Sequence, residues 1–317
     1  MDMNAAVVDT YGSPEVVRIQ RRPRPRAARG DVVVDVSAAS VNSGDARIRG
    51  ARFPRGFGVP ARIALGVRRP RRPVLGVALS GRVVETGPRT TDLRPGDRVC
   101  GMTDMRMGAH AEYAGVPEGR LVRIPDGVSD DHAAAVLFGG TTAPWFLRDR
   151  ARVRPGERVL VIGGAGAVGT HAVQLARSLG AEVTATASAG NLALLSRLGA
   201  HHAVDRAAVP LSDLPGPYDV VFDTVGALHP ATAAPLLTTE GRAILAAATL
   251  AETLVRRSRV ITGTAGAGRE LVSDLLDRVA ARTLTPVIET TLPLDRIAEA
   301  HARVDSGHKV GSILVRP

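Results

Sequence analysis

Gly163, Gly166 and Gly169 recur every third residue in the stretch VLVIGGAGAVGTHAVQLARSLG, residues 159–180, and Gly164 fills one gap. Glycines at this spacing let a backbone approach a bulky anion closely, because no Cβ intervenes. The flanking residues sharpen the reading. A Val-rich strand precedes the turn. Val168, Ala172, Leu175, Ala176 and Leu179 then share one face of a helix, and Gly180 lies beyond its end. A second strand, EVTATAS, closes at Ser188. Strand, glycine turn, helix and strand in this order seat a dinucleotide pyrophosphate at a helix N-terminus. A tight turn with no ligand is the competing explanation of the glycines.

The end of the second strand chooses between dinucleotides. An acid there would accept bonds from an adenosine ribose and repel a 2′-phosphate. This strand ends TATASAGN, with no acid. Ser188 and Asn191 can donate to a phosphate, and Arg206, after the next strand, can supply charge. The expectation is NADP(H). Ser188 and Asn191 can equally start the following helix as caps.

These residues need a scaffold, and the chain supplies two patterns. The first third is β-rich, with short Val-rich runs such as DVVVDVSAAS, GRVVETG and AEYAGV bounded by Gly, Pro and Asp. No helix–strand alternation is evident there, which predicts a barrel-like or Greek-key domain. From Ser129, SDDHAAAVLFGGTTAPWFLRD reads as two helical pieces broken at Gly139–Gly140, with Ser129 as N-cap. After VRPGE, strands and helices alternate, the signature of a parallel doubly wound α/β sheet. The tail gives a strand, a helix and a final strand.

The 317 residues suit two ordinary domains. Aromatics make up only 3%, so packing must rest on Val, Leu, Ile and Ala. The formal charge of +10 comes almost wholly from Arg. Without a basic helix or a known nucleic-acid motif, the expectation is arginine spread over solvated faces, with no nucleic-acid partner. Its densest clusters, RRPRPRAARG and RRPRRP, are broken by proline and read as connections between strands. One cysteine, Cys100, excludes a disulfide within the chain. No apolar run reaches the length of a membrane span, and the N-terminus lacks a signal-peptide pattern. The expectation is a cytoplasmic protein with no membrane partner.

The order of motifs resembles the zinc-independent, quinone oxidoreductase-like branch of the medium-chain dehydrogenase/reductase superfamily. The resemblance runs through YGSPEVVRI, VNSGDARIRG, PVLGVALSGRVVETGP, LRPGDRVCGM, GAHAEYAGVP, GGTTA, the glycine-turn segment, LGAHHAVD, YDVVFDTVG and HKVGSILV. It implies a GroES-like β domain at 1–125, completed by 284–317, and a Rossmann domain at 126–283. It also implies a cleft between them, an NADPH-dependent reduction of enones, enoyl groups or quinones, and a homodimer.

Site residues follow from the resemblance position by position. Gly163, Gly166, Ala167, Val168 and Gly169 match the pyrophosphate loop. Ser188 and Asn191 match the 2′-phosphate region. Thr142 matches a hydroxyl near the nicotinamide, and Val225 and Gly226 match the loop beside its ribose. Asn42, Asp45 and Arg47 match the segment lining the substrate side. Local explanations compete: Thr142 can cap a helix, and Asn42 and Asp45 can bond their own backbone.

Catalytic zinc needs three ligands from Cys, His or carboxylate, and a structural lobe commonly four Cys. Ser43 stands where zinc-dependent relatives place a Cys, and Gly76, Val77 and Ala78 stand where they carry Gly-His-Glu. A metal-free site is expected. The chain also departs from the branch. Arg47 replaces a frequent Tyr, Ala78 a frequent acid, Gly190 a frequent basic residue and Ser312 a frequent Lys. The segment AAATLAETLVRRSRV is short, which implies a changed wall of the cleft. Tyr113 is a proton-donor candidate whose setting in AEYAGV equally suits a packed strand. A cofactor-binding protein with a regulatory or non-redox role is the alternative reading.

Overall fold

The computed structural model describes residues 1–254 and 259–317. Part of the short segment noted above, residues 255–258, lies outside the described residues. The chain forms two compact units: Met1–Phe53, Gly58–Phe138 and Ala267–Pro317 make the first, and Pro54–Phe57 with Gly139–Gly266 the second.

Among the described residues, the first unit carries a seven-stranded sheet. Its centre is the long strand Asp31–Val41, which pairs antiparallel with Ala78–Thr86, Tyr113–Pro117 and Ser312–Arg316. The last of these brings the C-terminal strand into the sheet, and Ile288–Pro293 adds to it in parallel. Alternating Val side chains of the central strand (Val32, Val34, Val36) enter a core with Leu79, Val99, Leu121 and Ile313. Asp2–Val8 and Val17–Pro23 form a separate hairpin, so residues 21–23 of the first arginine cluster are strand, not connection. Two helices interrupt the β-rich region, Ser43–Gly50 and Gly58–Leu65. The sequence reading missed both, because each is only two turns long and glycine- or proline-bounded.

The second unit holds a six-stranded sheet among the described residues, every pairing parallel. Its order is His202–Asp205, Glu182–Ala187, Arg158–Ile162, Tyr218–Asp223, Leu237–Leu245, Val260–Ile261. Numbered along the chain this is 3-2-1-4-5-6, the Rossmann order. Its switch point lies between Arg158–Ile162 and Tyr218–Asp223, where ligands of open α/β sheets bind.

The helix Asp130–Pro144 is continuous through Gly139–Gly140, contrary to the expected break. Ser129 caps it, its Oγ accepting from His132 N at 3.2 Å. The glycine serves packing: a Cβ on Gly139 would lie 2.0 Å from the Ala167 carbonyl oxygen and 2.6 Å from His171 Nδ1. The helix instead changes character after Pro144, where a π-helical turn, Trp145–Arg150, follows. Proline has no N–H to continue the α-helical ladder.

Candidate active site

The glycine turn is built at the C-terminal end of the strand Arg158–Ile162. Gly163 has φ +79°, and a Cβ there would meet Val225 Cγ1 at 2.5 Å and Thr224 Oγ1 at 2.8 Å. Gly166 is the N-cap of the helix Ala167–Ser178 and brings no side chain to its first-turn N–H groups. A Cβ on Gly169 would sit 2.1 Å from the Gly163 carbonyl oxygen and 2.7 Å from Gly164 Cα. The helix therefore lies directly on the turn. Thr186 ties the turn to the second strand: Gly164 N donates to its carbonyl at 2.8 Å, and Gly163 N to its Oγ1 at 3.4 Å. An open helix N-terminus at the edge of a glycine cradle favours an anion through its N–H groups and its dipole.

Across the switch point a second loop is fixed by a residue that sequence reasoning missed. Asp223 is fully buried at the end of its strand. Its Oδ1 accepts from Val225 N at 3.0 Å and Gly226 N at 2.9 Å, and its Oδ2 from Leu228 N at 2.7 Å. Thr224 Oγ1 donates to the Ile162 carbonyl at 2.8 Å, joining the two loops. Val225 and Thr224 thus stand beside Gly163. The available signal was an acid closing the buried run YDVVFD.

The third group lies at the ends of the neighbouring strands. Arg206 N donates to the Ala187 carbonyl at 2.9 Å, which places Arg206 beside Ser188. Asn191 Nδ2 donates to Ser188 Oγ at 3.0 Å. Neither residue caps a helix with its side chain. Ser188 and Arg206 are exposed and Asn191 half-buried. Ser188 and Asn191 are thus joined at this strand end, with the Arg206 backbone beside them. Thr142 is half-buried in the last turn of Asp130–Pro144, so it is not an N-cap.

In the first unit, Asn42, Asp45 and Arg47 are held on one short helix. Asn42 is the N-cap of Ser43–Gly50. Its Oδ1 accepts from Gly44 N at 2.8 Å and Asp45 N at 3.2 Å, while Asp45 Oδ2 accepts from Asn42 N at 3.0 Å. This is a capping box with Asp at the third position. Asp45 Oδ1 also accepts from Gly76 N at 3.2 Å. Both side chains are buried, and burial raises the Asp45 carboxyl against the opposing pull of His110. Asp45 is thereby committed to the backbone. Asn42 keeps one group in reserve: its Nδ2 is buried without a partner among the described residues. Arg47, half-buried, makes no ion pair with a described residue, and burial lowers its guanidinium pKa.

Tyr113 packs with Met3, Ala5 and Val7 under the Arg24 guanidinium, 4.2 Å from its ring centroid. Cys100 is fully buried, and burial pushes its thiol up to about 12. Among the described residues no three His, Cys, Asp or Glu side chains are grouped to hold a metal. Ser43, Val77 and Ala78 offer zinc no Cys, His or carboxylate, so the residues present do not fit that ion.

A Rossmann sheet with this cradle and a GroES-like unit define a nicotinamide-dependent oxidoreductase. Comparison with known proteins gives the family. Residues 28–126 match the model for the alcohol dehydrogenase GroES-like domain, and residues 198–315 the model described as zinc-binding dehydrogenase. The chloroplastic NADPH-dependent alkenal/one oxidoreductase of Arabidopsis thaliana is 29% identical over 328 residues, covering 100% of this chain and 80% of that protein. The solved quinone oxidoreductase of Coxiella burnetii superposes with a TM-score of 0.89 at 26% identity, covering 100% of both chains. A mycobacterial protein solved with NADPH gives 0.81 at 26% identity, covering 99% of this chain and all of the other. The chain belongs to the zinc-independent, quinone oxidoreductase-like branch of the medium-chain dehydrogenase/reductase family, and it is an NAD(P)H-dependent oxidoreductase.

Proposed function

We propose that this protein uses NADPH to reduce the activated C=C bond of an enone or enoyl compound, or a quinone, without a metal. The observation that carries the reading is the Ser188–Asn191 pair at the acid-free end of Glu182–Ala187, with the Arg206 backbone beside it, next to a glycine turn whose helix N-terminus no side chain caps. The names of the alkenal/one oxidoreductase and quinone oxidoreductase relatives support the substrate class.

The protein's own contributions divide between its units. Gly163, Gly166 and Gly169 give the pyrophosphate N–H groups and helix dipole. Asp223, through Val225 and Gly226, fixes the loop beside the nicotinamide ribose. A bound nicotinamide supplies hydride to an electrophilic carbon. In the ground state of an enone the oxygen is neutral; in the transition state it gathers negative charge. Without a Lewis acid, that charge must be met by fixed donors. The unpartnered Asn42 Nδ2–H and the half-buried Arg47 cation are the donors assigned this role, and Thr142 a hydroxyl toward the nicotinamide. Asp45 positions Asn42 and does not touch substrate.

The test follows NADPH absorbance with a panel of alkenals, enones and quinones, with NADH in parallel. Oxidation of NADPH that depends on substrate, with much slower use of NADH, is expected. Tight NADPH binding with no turnover across the panel would return the alternative, a cofactor-binding protein with a non-redox role.

A further inference from the structure

The formal charge of the chain is concentrated in one stretch of its sequence. Residues 46–84 contain ten arginines and no acidic residue, so they carry the whole +10. Outside them, 31 basic residues balance the chain's 31 acidic ones.

The middle of this stretch is folded as an exposed apolar and cationic surface. The helix Gly58–Leu65 reads GVPARIAL and buries none of its residues. Val59 and Ile63, four apart on one face, are 71% and 61% exposed. Val67 and Met105 nearby are each 62% exposed. Val59 and Ile63 lie on the helix, Val67 two residues beyond it, and Met105 shares a cavity wall with Ala64 and Leu65, so the exposed apolar side chains belong to or adjoin this one element. The loop that follows carries Arg68, Arg69, Arg71 and Arg72, all exposed and none in an ion pair with a described residue.

This loop is held in place. Tyr11 Oη donates to the Gly66 carbonyl at 2.6 Å, Arg62 Nη1 to the Val67 carbonyl at 2.8 Å, and Arg71 N to the Leu65 carbonyl at 2.6 Å. Gly66 turns with φ +129°, where a Cβ would strike the Arg69 carbonyl oxygen at 1.9 Å. Behind the turn is a cavity of about 580 Å³ lined by Arg22, Arg68, Arg69, Arg71, Val67 and Asp9. Its one acid is engaged by Arg22 at 3.4 Å and by Gln20 at 2.7 Å. A second cavity of about 170 Å³ shares Pro70 and Arg71 with it and is walled by Leu65, Met105 and Met107.

We infer that the helix Gly58–Leu65 and the arginine loop after it dock this protein on an anionic lipid bilayer. A phospholipid surface presents both partners that the patch requires. Phosphate headgroups meet the guanidinium groups, and the acyl boundary takes Val59, Ile63, Val67 and Met105. A second copy of the chain is a poor occupant, because it would bring an equal positive charge against this one. A nucleic acid would use the arginines and leave the aliphatic side chains in water. The absence of a spanning segment in the sequence bears on insertion and leaves peripheral docking open. This inference stands apart from the reductase reading, and its test needs no turnover.

The full chain is sedimented with vesicles of phosphatidylcholine alone, and with an equal mixture of phosphatidylcholine and phosphatidylglycerol. Binding to the mixed vesicles only, weakening as salt is raised, is expected. Replacing Arg68 and Arg69 together by Gln should weaken it about 25-fold, at about fivefold for each arginine near an anionic surface. Replacing Val59 and Ile63 together by Ser should weaken it about tenfold. Both double variants should melt like the parent, since all four side chains are exposed. Failure to pellet with the mixed vesicles overturns the inference. So does a surface that binds duplex DNA as tightly as vesicles and ignores the Val59 and Ile63 change. So does a dimer in sedimentation velocity that these changes dissolve.

Discussion

The two units carry their candidate functional residues in different materials. On the nucleotide side the working groups are backbone. Gly163 and Gly169 matter for what they lack, since a Cβ on either would be a contact that geometry forbids, while Gly166 leaves the helix N-terminus uncapped. On the proposed substrate side the candidate groups are side chains on one short helix, and most of their capacity is spent on holding that helix together. Asn42 Oδ1 and both Asp45 oxygens serve backbone N–H groups, leaving Asn42 Nδ2 and the Arg47 guanidinium for anything else. A backbone site announces itself in residue type and spacing. A side-chain site does not, because the same Asn can cap, donate or do both.

The contrast predicts that Gly169 tolerates no side chain. Gly169→Ala adds one methyl group 2.1 Å from the Gly163 carbonyl oxygen, so the helix must move off the turn. NADPH affinity should fall more than about a hundredfold, and the melting temperature with it. Calorimetric titration and a thermal melt check both. A variant that binds NADPH like the parent would mean that this close approach does not shape the site.

The substrate side should respond differently to two changes at one position. Asn42→Ala removes cap and donor together, and should cost about 1–2 kcal/mol of stability as well as about a hundredfold in kcat. Asn42→Ser keeps an N-cap oxygen and loses only the Nδ2 donor. It should melt close to the parent and still lose about a hundredfold in kcat, with little change in NADPH affinity. Arg47→Ala should likewise act on kcat. If Asn42→Ser turns over normally, the residue is only a cap, and the oxyanion is met by other groups.

Arg206→Ala tests the one part of the nucleotide side that does rely on a side chain. Loss of a charge-assisted bond to a 2′-phosphate costs about 1.5–3 kcal/mol, or about 10- to 150-fold in NADPH affinity. NADH affinity should stay put. Equal losses for the two cofactors would remove Arg206 from 2′-phosphate recognition.

This division also explains what the sequence disclosed. The parallel sheet and the glycine turn were legible because alternation and glycine spacing are local signals, whereas the strand order was not. Asp223 was not singled out, although it shapes the Val225–Gly226 loop, since an acid ending a strand has no pattern of its own. Gly139 was misread as a helix break. Its actual partner, the Ala167 carbonyl oxygen, is close only after folding. The helices Ser43–Gly50 and Gly58–Leu65 were missed because two turns are too few for a periodicity to stand out. The arginines were legible in number, but their crowding into an acid-free stretch acquired meaning only beside the exposed face of Gly58–Leu65.

The smallest expected effect lies behind the substrate-side helix. His301 is fully buried, and neither ring nitrogen has a partner among the described residues. His110 stands against it, ring centroids 5.9 Å apart, and Arg49 adds a nearby cation. Burial first, then these two groups, hold its pKa well below the ordinary value. In the unfolded chain the same imidazole takes a proton near pH 6.5. Below that pH the unfolded state binds more protons, so stability must fall as the medium is acidified toward the folded-state pKa. Above pH 6.5 both states are neutral and the penalty vanishes. His301→Leu abolishes this dependence while filling a similar space. Urea midpoints at pH 7.5 and 5.5 should show the parent losing about 1 kcal/mol more than the variant over that step, near the limit of 1.36 kcal/mol per pH unit for one proton. Asp45, whose carboxyl is raised by burial, pulls stability the other way with pH, but it is present in both proteins and drops out of the difference. Equal losses in parent and variant would mean that His301 accepts its proton in the folded state as readily as in the unfolded one, and that the substrate-side helix rests on a softer base than its burial implies.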